Sequence, residues 1–130
     1  MDSREKALDR LRRVPETVRP GLAYVADQFR PGDAEGVATL FYRVYGERYP
    51  IGLYYDPDGI RQAVARGGLH PVLARLPGGE IVGFTALYAS SPPFAGLLEF
   101  GLGMVHPAYR GSFVMFHLFE SLMERLESLP

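Results

Sequence analysis

The sequence predicts an α/β domain, a mixed, mainly antiparallel central sheet flanked by helices. Stretches with apolar residues at helical spacing, clearest at Val37, Leu40, Phe41 and Val44, alternate with short strand-like runs bounded by Gly, Pro and Asp. The turn Pro77-Gly78-Gly79 separates a pair of such runs, which makes them a hairpin. The resulting order is helix, β, α, α, β, β, β, α, and an order of this kind argues for a sheet covered by helices.

Residues 3–14 read as a short helix with Leu8, Leu11 and Val14 on one face, ended by Pro15 and the Arg19-Pro20-Gly21 cluster. It is either a solvated extension that docks its leucines on the domain or a partner-binding helix. Leu22–Phe29 reads as the first strand. Arg30-Pro31-Gly32-Asp33 is a turn, with Asp33 expected as N-cap of a helix over Ala34–Tyr45. The stretch Tyr45–Asp58 reads as a loop whose Tyr45, Tyr49, Tyr54 and Tyr55 either line a pocket or cover the core with their hydroxyls in water. A second helix over Pro57–Arg66 is closed by Gly67-Gly68. Strands follow at His70–Leu76, Glu80–Ala89 and Leu97–Val105, with Ser90–Gly96 as a loop. The last helix spans Ser112–Leu129, and its apolar face is broad: Phe113, Phe116, Leu118, Phe119, Leu122, Met123 and Leu126.

Bulk properties narrow the function. A chain of 130 residues suits one domain, and a net charge of −1 gives no global electrostatic case for nucleic acid or an anionic membrane. No cysteine is present, so disulfides, thiolate nucleophiles and cysteine metal sites are excluded, and a cytoplasmic location is the expectation. The N-terminal residues lack the apolar core of a signal peptide, and no apolar run approaches the ~20 residues that span a bilayer. His70, His106 and His117 are scattered rather than at metal-ligand spacing, so no metal is expected and each is assigned a packing or surface role.

The most informative stretch is Glu99–Leu122, EFGLGMVHPAYRGSFVMFHLFESL. A strand feeding a glycine turn that opens a helix presents free backbone N–H groups, and the helix dipole favours negative charge there. Gly101 and Gly103 lie inside the strand, where glycine often marks a bulge or a close backbone approach; making room for a packed aromatic is the other explanation. Glu99 lies on the same strand. On an unbulged strand it shares a face with Gly101 and Gly103. Flanked by Leu98 and Phe100, it is either a partly buried carboxylate with a raised pKa or a solvent-facing or salt-bridged one.

The residues Val105-His106-Pro107-Ala108-Tyr109-Arg110-Gly111, together with Phe29-Arg30-Pro31-Gly32-Asp33 before a helix and Glu80-Ile81-Val82-Gly83-Phe84 after a glycine-rich turn, resemble the GCN5-related N-acetyltransferases. The resemblance implies the acyl-CoA N-acyltransferase fold and transfer of an acetyl or other acyl group from acyl-CoA to a primary amine on a small molecule or peptide. It implies Glu99 as a general base acting through water. Backbone groups of Met104 or Val105 would polarise the thioester carbonyl, and Arg110, Gly111, Ser112, Phe113, Val114 and Met115 would cradle the pyrophosphate. Within that cradle Arg110 matches the family pattern, Phe113 stands where the pattern has Gly, and Met115 where it has Gly or Ala.

The resemblance covers residues from about 22 to 129, roughly the first two-thirds of the usual domain, and so implies a fold incomplete at its C-terminus. A truncation, a short natural variant and completion by a second chain are the readings of this. The organisation that follows is an N-terminal helical extension over 1–21 and an acyltransferase-like domain over 22–130. The alternative function is a non-catalytic, degenerate binding or dimerisation module, its open sheet edge covered by a second copy.

Overall fold

The computed structural model describes residues 2–18, 23–48, 52–89, 98–111 and 113–127, with side chains for all of these except 53, 89 and 98–102. Among the described residues, four α-helices and four strands are arranged as α1 (Ser3–Arg12), β1 (Val25–Gln28), α2 (Ala34–Tyr45), α3 (Pro57–Ala65), β2 (Leu69–Arg75), β3 (Ile81–Ala89), β4 (Leu98–Val105) and α4 (Val114–Glu127). The sheet order is β1-β2-β3-β4, and every pairing among the described strands is antiparallel.

Local chemistry sets the helix ends. The Asp2 carboxylate accepts from the Glu5 N–H at 2.7 Å and starts α1. Asp56 caps α3, with Pro57 in its first turn. Helix α3 stops as the glycine pair requires: Gly67 has φ +75°, its N–H donates to Val64 O at 3.0 Å, and the Gly68 N–H donates to Ala63 O at 2.9 Å. Asp33 departs from the sequence expectation. Its backbone is already helical and its side chain makes no cap bond to α2. The carboxylate instead accepts from the Arg30 N–H at 2.8 Å and from Arg75 on β2. The ion pair ties the 3-10 turn Pro31–Asp33 to the sheet.

The sheet has a core on each face. Helices α1, α2 and α3 bury Leu8, Leu11, Val37, Leu40, Phe41 and Ile60 against Leu69, Leu73, Phe84 and Met104. Burying a leucine contributes about 1.5–3 kcal/mol, so Leu8 and Leu11 bind α1 firmly to this layer. Tyr54 and Tyr55 belong to the same core: Tyr54 stacks on Phe41 at 4.6 Å, and the Tyr55 hydroxyl donates to Gly46 O at 2.6 Å. Of the four loop tyrosines proposed for a pocket, these two cover the core, Tyr45 is half-buried and Tyr49 lies outside the described residues. On the opposite face α4 packs Val114, Leu118 and Leu122 against Val72, Ala74, Val82 and Leu87. The apolar face of α4 is therefore split. Its i, i+4, i+8 row is buried, whereas Phe116, Phe119 and Leu126 are exposed.

Both pairings of β3 are interrupted by a bulge, one on β3 itself and one on β4. Between β2 and β3 the register passes from Ala74–Gly83 to Arg75–Ile81, leaving Val82 as the extra residue. Between β3 and β4 it passes from Ala86–Leu102 to Leu87–Phe100, leaving Gly101 extra. The second bulge overturns the unbulged alternation. Glu99 pairs with Tyr88, which sets it in the register row of Leu102–Ala86 and Met104–Phe84 rather than that of Gly103–Thr85.

Candidate functional site

Strand β4 ends at Val105, and the chain turns through His106 and a 3-10 turn at Pro107–Tyr109 before entering α4. Two hydrogen bonds hold this corner to β3 and to itself. The His106 N–H donates to the carbonyl of the bulged Val82 at 2.8 Å, and the Tyr109 N–H donates to His106 O at 2.8 Å. Pro107 begins the short turn, where a missing N–H removes nothing. His106 is buried, and its Nδ1 accepts from the Ala108 N–H at 3.0 Å, which caps the turn. Tyr109 is buried beneath the corner and meets Tyr24 edge-to-face at 6.3 Å.

Beyond the corner the backbone twice takes left-handed values. Gly111 has φ +85°, and an added Cβ there would meet nothing within 4 Å. Phe113 has φ +60°, the one positive-φ non-glycine among the described residues, and its ring is 74% exposed. The left-handed region costs a residue with a Cβ roughly 1–2 kcal/mol. The conformation is the one a glycine takes freely, so the backbone keeps a glycine's geometry where the sequence has phenylalanine. Sequence reasoning places Phe113 inside the last helix; it stands instead in the turn before it.

An open cleft of about 410 Å³ lies at this point, lined by Val105, Arg110, Gly111, Phe113, Val114 and Met115, with Tyr109 and Phe116 completing it. The first helical bond of α4 runs from the His117 N–H to Phe113 O at 3.1 Å. The N–H groups of Val114, Met115 and Phe116 therefore have no acceptor within the helix. Arg110 is exposed and makes no hydrogen bond or ion pair among the described residues. The helix dipole and this guanidinium give the cleft a positive end, and among the described residues no acidic side chain lines it. Free N–H groups, a guanidinium and apolar walls are the chemistry that suits an anion with an apolar continuation.

The structure brings together six of the residues singled out from the sequence: Val105, Arg110, Gly111, Phe113, Val114 and Met115. Met115 is half-buried, and its Cε sits so close to β4 that a Cβ on Gly103 would meet it at 2.7 Å. Gly103 thus makes room for a side chain, though for a methionine rather than an aromatic. The Met104 side chain is buried in the core under α2, and the expectation for this residue concerns its backbone, which β4 carries beside Val105. Ser112 lies outside the described residues, and for Glu99 the backbone register alone is described. Among the described residues no group of His, Asp or Glu is arranged to hold a metal ion, and no helix is long and apolar enough to cross a membrane.

Sequence reasoning missed Tyr109 and Phe116 as lining residues and gave His106 only a packing or surface role. Its Nε2 lies 2.9 Å from Glu16 Oε2, and Glu16 also meets Arg43 Nε of α2 at 3.1 Å. Burial opposes the charge on Glu16. The Val18 N–H, His106 and the Arg43 charge outweigh it and hold the carboxyl below its ordinary value of 4.5. No local pattern marks a partner 90 positions away.

This architecture, a bulged antiparallel sheet whose last described strand turns into a helix N-terminus, is the fold of the GCN5-related N-acetyltransferases. A GCN5-related glucosamine N-acetyltransferase region of a fungal multi-domain GH3 beta-N-acetylglucosaminidase superposes with a TM-score of 0.60 at 24% identity, over 87% of this chain and 13% of that one. A GNAT family N-acetyltransferase from Escherichia coli, solved in complex with CoA, gives 0.62 at 18% identity, over 85% of this chain and 60% of that one. A GNAT family acetyltransferase from Brucella melitensis, in complex with acetyl-CoA, gives 0.63 at 16%, over 82% and 70%. The chain therefore spans less than two thirds of the first two of these proteins. No protein-family model matches the chain, and no curated protein does.

Proposed function

We propose that this chain binds acyl-CoA and transfers its acyl group to a primary amine. The observation that carries the reading is the coincidence of the β4–α4 cleft with the turn Arg110–Met115, on a fold whose relatives include structures solved with CoA and with acetyl-CoA. The residues fit a diphosphate. The free N–H groups at the start of α4 would bond its oxygens, and Arg110 would offset its charge. Phe113 exposes its ring to solvent and Met115 folds onto Gly103, so neither needs to enter the turn itself.

In the transfer, the amine nitrogen gives up a proton and forms a C–N bond to the thioester carbonyl carbon, the C–S bond breaks, and CoA leaves as its thiolate, which takes up a proton from water. Glu99 is the candidate acceptor of that proton, directly or through water. Backbone groups near the Gly101 bulge and Val105 are the candidates to face the carbonyl oxygen as its negative charge develops. The reading leaves the acceptor at the level of a primary amine on a small molecule or peptide. Calorimetric titration with acetyl-CoA and with CoA tests it: saturable binding of both supports it, and no binding to the folded chain refutes it.

A second reading, a non-catalytic binding or dimerisation module, draws on one feature. Phe113 and Phe116 expose large rings beside β4, which among the described strands pairs on one side only. Exposed edges and apolar patches favour association. Sedimentation at several concentrations decides it, a monomer throughout being the result against it.

A further inference from the structure

We infer that Glu16 is a positioning residue for the anion cleft, acting through His106; the inference rests on the acyl-CoA reading above. Glu16 lies in the segment between α1 and β1, far from the cleft in sequence, and its carboxylate reaches the corner where β4 becomes the phosphate turn. The geometry forms a chain of contacts with one direction. The Ala108 N–H donates to His106 Nδ1 at 3.0 Å, so that nitrogen carries no proton. The ring proton is then on Nε2, which lies 2.9 Å from Glu16 Oε2 and donates to it. The Val18 N–H donates to Oε1 at 3.0 Å, and the Arg43 guanidinium of α2 faces the carboxylate as an ion pair, its Nε 3.1 Å from Oε2.

Each link constrains the next. Glu16 selects the tautomer and the ring orientation of His106, the ring fixes the 3-10 turn at Pro107–Tyr109, and that turn delivers Arg110 and Gly111 to the cleft. Without the carboxylate, the Nε2 proton is left buried with no acceptor, and the ring gains by rotating away from Ala108. The charged groups that face this imidazole are Glu16 and, through it, Arg43. Glu80 lines the same small cleft of about 170 Å³ beside the histidine. Glu16 and Val18, in the part of the segment directly after α1, thus tie that segment to the corner after β4.

The test uses the whole chain with Glu16→Ala and Glu16→Gln, read by CoA titration and by backbone amide hydrogen exchange. Glu16→Ala is expected to weaken CoA binding about tenfold, the lower end of the loss when a group that orients a binding residue is removed. It should also speed exchange at Ala108 and Tyr109 while leaving the β2–β3 amides protected. Glu16→Gln keeps an oxygen that accepts from Nε2–H, and it should restore both readouts. Unchanged exchange at Ala108 in the alanine variant overturns the inference, as does faster exchange with unchanged CoA affinity. If the unaltered chain itself binds no CoA, the acyl-CoA reading fails and the positioning role falls with it. If the unaltered chain and Glu16→Ala bind CoA equally, only the positioning role is lost.

Discussion

Arg75 grips Asp33 with both terminal nitrogens, at 2.7 and 2.9 Å, and its Nε meets Asp27 at 3.2 Å. One guanidinium on β2 therefore fastens β1 and the turn before α2 to the sheet. The fork of Arg matches a carboxylate in this way and Lys does not.

Asp33→Asn should lower stability by about 1.5–3 kcal/mol, the usual size of a hydrogen bond to a charged group. The Arg75 pair, against the opposing effect of burial and with help from the Arg30 N–H, holds the Asp33 carboxyl below its ordinary 3.8. A depressed folded pKa contributes stability that is complete above the unfolded value and is lost as pH falls through the folded one. The gap between wild type and Asp33→Asn should accordingly be constant near neutrality and shrink once pH drops below about 3.8. Denaturant melts across that range measure it; a gap that widens in acid contradicts the assignment.

Phe113→Gly should raise stability, unlike most glycine substitutions. Relief of the left-handed strain, less the added freedom of the unfolded chain, leaves a gain of about 0.5–1 kcal/mol. The ring is mostly in solvent, so little packing is lost with it. The ring stands clear of the turn, so CoA binding should be kept. A thermal melt and a titration check the two halves separately, and a lower melting temperature would show that the ring has a partner of its own.

Two glycines on neighbouring strands should respond differently to alanine. At Gly83 an added methyl meets Val114 Cγ1 at 2.7 Å, Leu118 Cδ1 at 3.0 Å and Ala74 Cβ at 3.1 Å, all in the core under α4. Those neighbours are fixed by packing, and overfilling such a site costs about 1–3 kcal/mol. At Gly103 the close atom is the Met115 Cε at 2.7 Å, the end of a flexible side chain that is half-buried. Methionine yields there, so Gly103→Ala should cost less than Gly83→Ala in the same melt. Equal losses would mean that Met115 is held as rigidly as Val114.

The contrast between the glycines bears on what the sequence could reveal. Signals that act within a few residues were legible: Gly67-Gly68 closes α3, Pro77-Gly78-Gly79 joins β2 to β3, and Gly101 marks the β4 bulge. The place of the β4–α4 cleft was legible for the same reason, because a strand, a turn and a helix start are contiguous. Asp33 was misassigned because its partner Arg75 comes from another strand, and a charged pair outcompetes a cap. The Glu16–His106 contact left no trace, since its ends meet only once the sheet is assembled. The broad apolar face of α4 hid which row is buried. That choice depends on Gly83, whose missing side chain admits Val114 and Leu118.

The proposed base, Glu99, and the proposed cradle at Arg110 should separate kinetically. Glu99→Gln keeps the size of the side chain and removes the proton acceptor, and loss of a general base costs a factor of about 10²–10⁴ in rate. It should lower kcat, abolish the acidic limb of the pH–rate profile, and leave CoA affinity unchanged. Arg110→Ala removes a cation from the cleft lining and touches no proton transfer. It should weaken CoA binding and reduce its salt dependence, because a screened charge pair is lost. Titration and steady-state rates on the two variants decide the matter. If Glu99→Gln changes affinity and leaves the rate unaltered, position 99 binds substrate and the base lies elsewhere.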